Sequence, residues 1–305
     1  MATEAQLRAR RPSWRRALPD QLTGWAFTLP ASAIVLGLAL FPVIYELVLS
    51  TKVKEGFSPE RSAGLANYRE LAGDPELHGA AIRSLQFLVL YVPLTVLLGL
   101  GLALLLNQPL RGMGIYRTCM FVPFVASAAA TGIVFRYVLD PQYGLINNTL
   151  AWIGFARQPL LEDPDRALWV LVPIAMWSAV GFDILAFLAA LQDVPPDLAE
   201  AARIDGAGRL GVFRHVTLPA LRPITVLVVV WEVINGLQVF DVIYTTTRGG
   251  PLDSTTTLVY YAWSQAFATQ HFGRGAAVGA ILFASILLLT IAQIVYARWR
   301  KLELA

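Results

Sequence analysis

The sequence predicts an all-α polytopic membrane protein with six transmembrane helices. Three observations carry this prediction. Hydrophobic residues make up 56% of the 305 residues and charged residues only 15%, whereas about a quarter of the residues in soluble domains are charged. The apolar residues fall into six long runs. Most basic residues lie near the ends of these runs, which favours a lipid bilayer over a nucleic acid as the partner.

The chain begins with a basic arm, residues 1–24, which carries five arginines ahead of the first apolar run. A cleaved signal peptide has an apolar core of only about 7–15 residues. Here the run continues through Ser50, which is long enough to span a bilayer. We therefore expect a retained first helix and an arm held in the cytoplasm. The single cysteine, Cys119, excludes an intrachain disulfide.

The six apolar runs have the lengths that membrane-spanning helices need. A helix crosses the hydrocarbon core with about 20 mostly apolar residues. Four of the runs contain no charge, and two are interrupted once each, by Asp183 and by Glu232. We predict a transmembrane domain over residues 25–300, with spans at about 25–49, 82–107, 114–138, 167–192, 220–241 and 274–298.

The distribution of lysine and arginine predicts that both termini face the cytoplasm. With the N-terminus inside, the inner segments hold 14 of these residues, and the outer loops hold seven over a longer stretch of chain. Cytoplasmic loops of membrane proteins carry the excess of positive charge. This orientation places the loop of residues 193–219 inside the cell.

That inner loop is longer than its neighbours and begins with the pattern of a short helix. Pro196 ends the fourth span. Asp197 and Glu200 have the spacing of a capping box, which predicts a helix over residues 198–205. Such a helix is about 12 Å long, and Gly206 ends it.

A second helical stretch, predicted over residues 209–216, returns the chain to the membrane. Pro219 and Pro223 then open the fifth span, where proline is tolerated near a helix start. The small side chains of the first helix permit close docking. The loop is therefore expected to form a surface elbow that fits a groove on another protein.

The elbow resembles the EAA loop of the permease subunits of binding-protein-dependent ABC transporters. The resemblance is in register from Glu200 to Pro223 and rests on Glu200, Ala201, Ala202, Asp205, Gly206, Ala207, Phe213, Leu218 and Pro219. It implies the type I importer permease fold, in which this loop is a coupling helix docked in a cleft of the ATPase. Glu200 and the two alanines would form the docking face, and Gly206 would make the turn. The alternative is an interfacial helix without a partner.

Further similarity indicates the carbohydrate-uptake subgroup, of the maltose and glycerol-phosphate type. It covers residues 24 to 300 and rests on the stretch 238–244 (QVFDVIY), Gly249, Gly250, Pro251, Ser254, Thr255, Thr256, Asn67 and Tyr68. Arg248 departs from the subgroup, which usually has glycine there. The resemblance implies import of a di- or oligosaccharide, with glycerol phosphate or another polyol as the alternative.

The resemblance also implies the rest of the transporter. Its partners would be two copies of an ABC ATPase, a second and different permease and an extracytoplasmic binding protein, in the cytoplasmic membrane of a bacterium or archaeon. The chain itself has no phosphate-binding loop, because Lys52, Lys54 and Lys301 are its only lysines and none follows a glycine. We therefore expect no catalysis and no bound cofactor in this chain, with ATP and Mg used by the partner.

Two other classes of function are weaker interpretations of the sequence. An intramembrane hydrolase needs a Ser–His or paired Asp constellation within the spans, but His78, His215 and His271 all fall in loops. No metal-ligand spacing occurs, so no metal site is predicted. A secondary transporter usually has more spans and an internal repeat, and it has no reason to carry the elbow.

Polar residues within the spans predict the translocation pathway. Ionisable residues are costly in a membrane and often functional. Glu232, Asn235 and Gln238 are spaced by three and so share a helix face. Aromatic rings would stack on a sugar while amides bind its hydroxyls, which gives a candidate pathway of Trp177, Glu232, Asn235, Gln238, Phe240 and Asp241. The alternative is interhelical hydrogen bonding, which we favour for Asp183.

Overall fold

The computed structural model describes residues 25–108 and 111–300 as a bundle of long apolar helices. Within those ranges five helices are long and apolar enough to cross a bilayer. A sixth crossing results if one bent pair of helices counts as a single span. This architecture confirms the predicted all-α polytopic fold. The predicted basic arm, residues 1–24, lies outside the described residues.

The helices follow one another along the chain, with one small hairpin between the first two. The long helices are α1 (Trp25–Leu49), α3 (Pro75–Leu106), α7 (Ala167–Gln192), α10 (Arg222–Leu237) and α13 (Phe272–Trp299). The bent pair is α4 (Met113–Val125) and α5 (Ala128–Val138). The antiparallel hairpin is β1 (Lys52–Val53) with β2 (Arg61–Ser62). The short helices are α2 (Ala66–Ala72), α6 (Leu145–Trp152), α8 (Pro196–Ile204), α9 (residues 209–220), α11 (Asp241–Thr245) and α12 (Leu258–Trp263).

Helix α3 begins well before residue 82, where we predicted the second span to start. The side chain of Asp74 accepts a hydrogen bond from the N–H of Glu76 at 2.9 Å and so caps the helix. Pro75 occupies the first helical position, where its missing N–H costs nothing. This Asp-Pro pair is a helix start signal that the hydropathy of the span does not contain.

The span predicted over residues 114–138 is bent by 97° between α4 and α5. Ala126 and Ser127 have extended backbone angles, with ψ of 147° and 127°. Pro123 precedes the bend by one turn and removes a backbone donor from the end of α4. The third apolar run is therefore two helices rather than one continuous span.

The centre of the bundle is formed by α3, α7 and α10. Phe87 of α3, Phe187 of α7 and Val228 of α10 are fully buried there. A glycine lets α10 pack closely against α3, because a side chain at position 236 of α10 would press on Leu88 and Tyr91 of α3. By contrast, the apolar residues of α1 stay exposed, as expected for a surface that faces lipid or another subunit.

The end of the bundle that carries β1 and β2, here called the hairpin end, is fixed by polar contacts. The Nδ2 amide of Asn67 donates to the carbonyls of Ser50 and Lys52, at 2.8 and 2.9 Å. The hydroxyls of Tyr68 and Ser50 are 2.6 Å apart. Asn67 and Tyr68, two residues of the family resemblance, thus tie α2 to the end of α1.

A second polar cluster at the hairpin end joins three helices. The carboxylate of Asp74, before α3, accepts hydrogen bonds from Tyr261 of α12, at 2.5 Å, and from Arg274 of α13. Burial alone would raise the pKa of Asp74. The hydrogen bonds from Tyr261, the Glu76 N–H and Arg274 outweigh that effect, so the pKa lies below its ordinary value. The ionised form of Asp74 therefore stabilises this end of the bundle.

We expect Asp74→Asn to lower the free energy of unfolding by about 1–2 kcal/mol, because it removes charge-assisted hydrogen bonds while asparagine still caps α3. A lowered pKa contributes stability above the ordinary aspartate pKa of about 3.9. That contribution disappears as the pH falls through the lowered value. Thermal unfolding in detergent between pH 3 and 7 should therefore show the two proteins converging in acid. A constant difference across this range would contradict the assignment.

Candidate functional site

The predicted inner loop forms an elbow, residues 196–220, made of α8 and α9. Helix α8 begins at Pro196, and the preceding Pro195 provides no side-chain hydrogen bond at the cap position. The predicted capping box of Asp197 and Glu200 is therefore wrong. Because Pro196 takes the first helical position, Asp197 falls inside the first turn, where its charge still favours the helix dipole.

Gly206 ends α8 as predicted, and its backbone shows why a glycine stands there. Its φ is +87°, a left-handed conformation that strains residues with a side chain. This conformation lets the N–H of Ala207 bond to the carbonyl of Ala202 at 2.9 Å, which closes the helix. The chain then turns into α9, which runs beyond the predicted residue 216 through a π-helical turn at Phe213–Thr217.

The elbow presents a mixed polar and apolar surface at its end of the bundle. Glu200, Ala201 and Asp205 are exposed, while Ala202, Ala207 and Pro219 are half-buried. The predicted Leu218 is 40% exposed. Three large apolar side chains that we did not predict are also exposed, namely Leu198, Ile204 and Leu210 at 52, 86 and 77%. Apolar residues within an otherwise polar loop could have predicted this exposed surface. Exposed apolar groups beside a carboxylate have the character of a protein docking surface.

A second feature is a cavity of about 360 Å³ between α3, the bend of α4 and α5, α7 and α10. Four predicted pathway residues line it, namely Asn235, Gln238, Phe240 and Asp241. Its other walls are Tyr91, Phe124, Ala126, Ala128, Ala175, Ser178, Ala179, Trp231, Val239 and Val242. Amide, hydroxyl and aromatic groups thus converge on one space in the membrane domain, an arrangement suited to a polar, uncharged ligand.

Two of the predicted pathway residues do not line this cavity. Trp177 makes an edge contact with the ring of Phe135, with centroids 5.5 Å apart. Its place is taken by Trp231, whose ring lies 4.9 Å from that of Phe182. Trp231 precedes Asn235 by four residues, and residues four apart lie on the same face of a helix. The spacing that we used for Glu232 and Asn235 could therefore also have predicted Trp231.

Glu232 lies behind the cavity wall instead of on it. Its side chain is fully buried and accepts a hydrogen bond from the hydroxyl of Tyr91 at 2.5 Å. Asp183 of α7 is also fully buried. The interhelical role that we favoured for Asp183 therefore describes Glu232 as well.

The loop after α10 carries the remaining residues of the family resemblance. Thr255 Oγ1 donates to the carbonyl of Gly250 at 2.9 Å and lies 2.7 Å from the hydroxyl of Thr247. Arg248, where the subgroup usually has glycine, has a φ of +54°. The left-handed backbone explains that preference, and the Arg248 carbonyl accepts a bond from Tyr260 at 2.8 Å.

The described residues contain no cluster of three or more His, Cys, Asp or Glu side chains that could hold a metal ion. The two candidate regions are therefore the elbow and the cavity. They lie on consecutive elements, because α9 leads directly into α10, whose far end lines the cavity. Because only a short stretch of chain joins them, a movement of the elbow can be transmitted to the cavity wall.

Comparison with known proteins agrees with this arrangement. The lactose transport system permease protein of Rhizobium radiobacter is 34% identical over 286 residues, 92% of this chain and 95% of that protein. The trehalose/maltose transport system permease protein of Thermococcus litoralis is 31% identical over 279 residues, 91% of this chain and 94% of that protein. A bacterial alginate ABC transporter, crystallised with an alginate pentasaccharide-bound periplasmic protein, contains a similar fold. Its TM-score is 0.82 at 22% identity, over 94% of this chain and 98% of that chain.

Residues 95–301 match the family described as the inner membrane component of binding-protein-dependent transport systems. The matched region contains the elbow and most of the cavity wall, and it makes up more than half of the chain. Membership of this family accounts for the predicted transport role, for the membrane location and for the resemblance of the elbow to the EAA loop. The chain belongs to this family, the permease subunits of ABC importers, and is a multi-pass protein of the cytoplasmic membrane.

Proposed function

We propose that this permease forms half of the pathway for a di- or oligosaccharide delivered by an extracytoplasmic binding protein. The observation that carries the proposal is the cavity, where Asn235 and Gln238 lie beside the rings of Trp231 and Phe240. Amides bind sugar hydroxyls and aromatic rings stack on sugar faces. The names of the lactose and the trehalose/maltose permeases support the same class of substrate.

The cavity also argues against the alternative substrate, glycerol phosphate. None of the described residues that line it is lysine or arginine, and its one charged group is the carboxylate of Asp241. Phosphate recognition in proteins relies chiefly on arginine and lysine. The helices α5 and α11 do begin at the cavity, but Asp241 places a carboxylate at the start of α11. An uncharged polyhydroxylated ligand therefore fits the lining better than an anion.

The elbow is the proposed contact with a separate ATPase, which would use the ATP and Mg. Glu200, Ala201, Ala202, Asp205, Gly206, Ala207, Leu218 and Pro219 retain their proposed coupling role, and we add the exposed Leu198, Ile204 and Leu210. Docking there requires the elbow end to face the cytoplasm, and with it both termini. Closure of two ATPase subunits would then move the elbow and rock α10 beside the cavity.

A second and different permease is proposed to complete the pore. The exposed apolar faces of α1 and α4 offer surface for another subunit. A secondary transporter or an intramembrane hydrolase has no use for the elbow. Membership of the importer family supports the same choice.

The substrate class can be tested with the complete transporter and its binding protein in liposomes. Uptake of radiolabelled lactose, maltose, trehalose and longer saccharides is measured beside uptake of sn-glycerol 3-phosphate, with ATP supplied to the ATPase. We expect uptake of at least one saccharide that excess glycerol phosphate does not inhibit. Uptake of glycerol phosphate without any saccharide would contradict the proposal.

A further inference from the structure

Two carboxyl groups meet at the centre of the bundle, where α3, α7 and α10 pack. Asp183 and Glu232 are each 0% exposed. Their carboxyl groups lie within hydrogen-bonding reach of each other. Asp183 packs against Gly99 of α3, where any side chain would collide with it. Neither carboxyl forms an ion pair with any residue that the structure describes.

The hydrogen bonds of the two groups are unequal. Glu232 Oε2 accepts the bond from the Tyr91 hydroxyl at 2.5 Å. Both oxygens of Asp183 are buried without a donor. A buried carboxylate without donors is strongly disfavoured, whereas a protonated carboxyl is itself a donor. Two adjacent carboxylates without a counter-ion are also costly in a membrane interior.

These contacts connect the carboxyl pair to the cavity. Tyr91 both donates to Glu232 and lines the cavity. Asn235, one helical turn after Glu232 on the same helix, also lines the cavity. A change in the pair would therefore shift the two polar groups that form the cavity wall on α3 and α10.

We propose that Asp183 holds a proton and donates it in a hydrogen bond to Glu232. The resulting chain of Asp183, Glu232 and Tyr91 joins three spans and positions Tyr91 at the cavity. Asp183 and Glu232 are thus positioning residues that do not touch the substrate. The role toward the substrate rests on the proposed function of the cavity, but the location of the proton does not.

If Asp183 donates a hydrogen bond to Glu232, two replacements of similar size at position 183 should have different effects. Asparagine at position 183 still donates an N–H to Glu232, whereas leucine donates nothing and leaves Glu232 with fewer partners. We expect Asp183→Asn to keep the uptake rate within about twofold of the original. We expect Asp183→Leu to lower it about tenfold or more, chiefly by raising the substrate concentration for half-maximal uptake, because a buried charged acceptor loses a donor.

Infrared spectroscopy of the purified permease complex at neutral pH tests the proton directly. The C=O stretching band of a protonated carboxyl should be present in the original protein and lost in Asp183→Asn. It should persist in Glu162→Gln, which removes an exposed carboxyl from the loop between α6 and α7. This measurement does not depend on what is transported, so it separates failure of this inference from failure of the proposed function.

Three results would overturn the proposal. The first is an infrared spectrum in which Asp183→Asn removes no protonated-carboxyl band. The second is an Asp183→Asn protein whose uptake is as poor as that of Asp183→Leu, which would mean that a negative charge is required. The third is failure of Asp183→Asn to assemble while Glu162→Gln assembles normally, because an amide donor should satisfy Glu232.

Discussion

Replacement of Gly206 by valine will separate the permease from its ATPase while the transmembrane bundle stays folded. Gly206 joins α8 to the turn before α9 with a φ of +87°, where a side chain costs roughly 1–2 kcal/mol. Nothing lies within 4 Å of the position that a Cβ would take. The substitution therefore changes the direction of the elbow rather than its packing. A cost of this size corresponds to a roughly 5- to 30-fold loss of the docking conformation.

Co-purification of the ATPase with detergent-solubilised permease measures this loss. Gly208→Val is the matched control, because Gly208 is also exposed and uncrowded but has an ordinary φ of −70°. It should retain the ATPase better than Gly206→Val does. Glu200→Lys, which reverses an exposed charge on α8, should also release the ATPase. Full retention of the ATPase by Gly206→Val and Glu200→Lys would remove the elbow from the coupling pathway.

Replacement of Asn235 by alanine will have the opposite profile, with lost transport and normal ATPase association. Asn235 is half-buried in the cavity wall, so its loss leaves a sugar hydroxyl without a partner. A missing hydrogen bond of this kind costs about 1–3 kcal/mol, which is roughly a 5- to 150-fold loss of uptake efficiency. Gln238→Ala should act in the same direction but more weakly, because Gln238 is exposed at the end of α10.

Asn107→Ala supplies the control for these two substitutions. Asn107 is an exposed asparagine at the end of α3 that does not line the cavity. Uptake and ATPase stimulation are measured for all variants in liposomes with the binding protein present. Equal uptake by the Asn235→Ala and Asn107→Ala proteins would show that the substrate passes elsewhere.

The parts of the structure that could be predicted from the sequence are those that depend on local signals. Long apolar runs require spanning helices because the bilayer core offers backbone groups no other partners. The glycine after α8 predicted the turn that its positive φ confirms. Asn235, Gln238 and Asp241 were predicted because polar groups near a span require a reason to be there, and Phe240 because an aromatic ring can stack on a sugar. All four line the cavity.

The parts that could not be predicted depend on how helices rotate against one another. The choice between Trp177 and Trp231 required the direction in which α7 and α10 face, which hydropathy does not contain. The contact of Asp183 with Glu232 joins residues far apart in sequence and depends on the missing side chain at Gly99. Even the capping box failed for a local reason, since Pro196 moved the helix start.

The proposed pore opens only when a separate ATPase moves the elbow. Saccharide uptake into liposomes tests this directly, comparing the complete transporter with the same preparation lacking the ATPase subunit. We predict uptake that requires ATP, the ATPase and the binding protein together. Sustained uptake by vesicles that contain this chain without any ATPase would contradict the account.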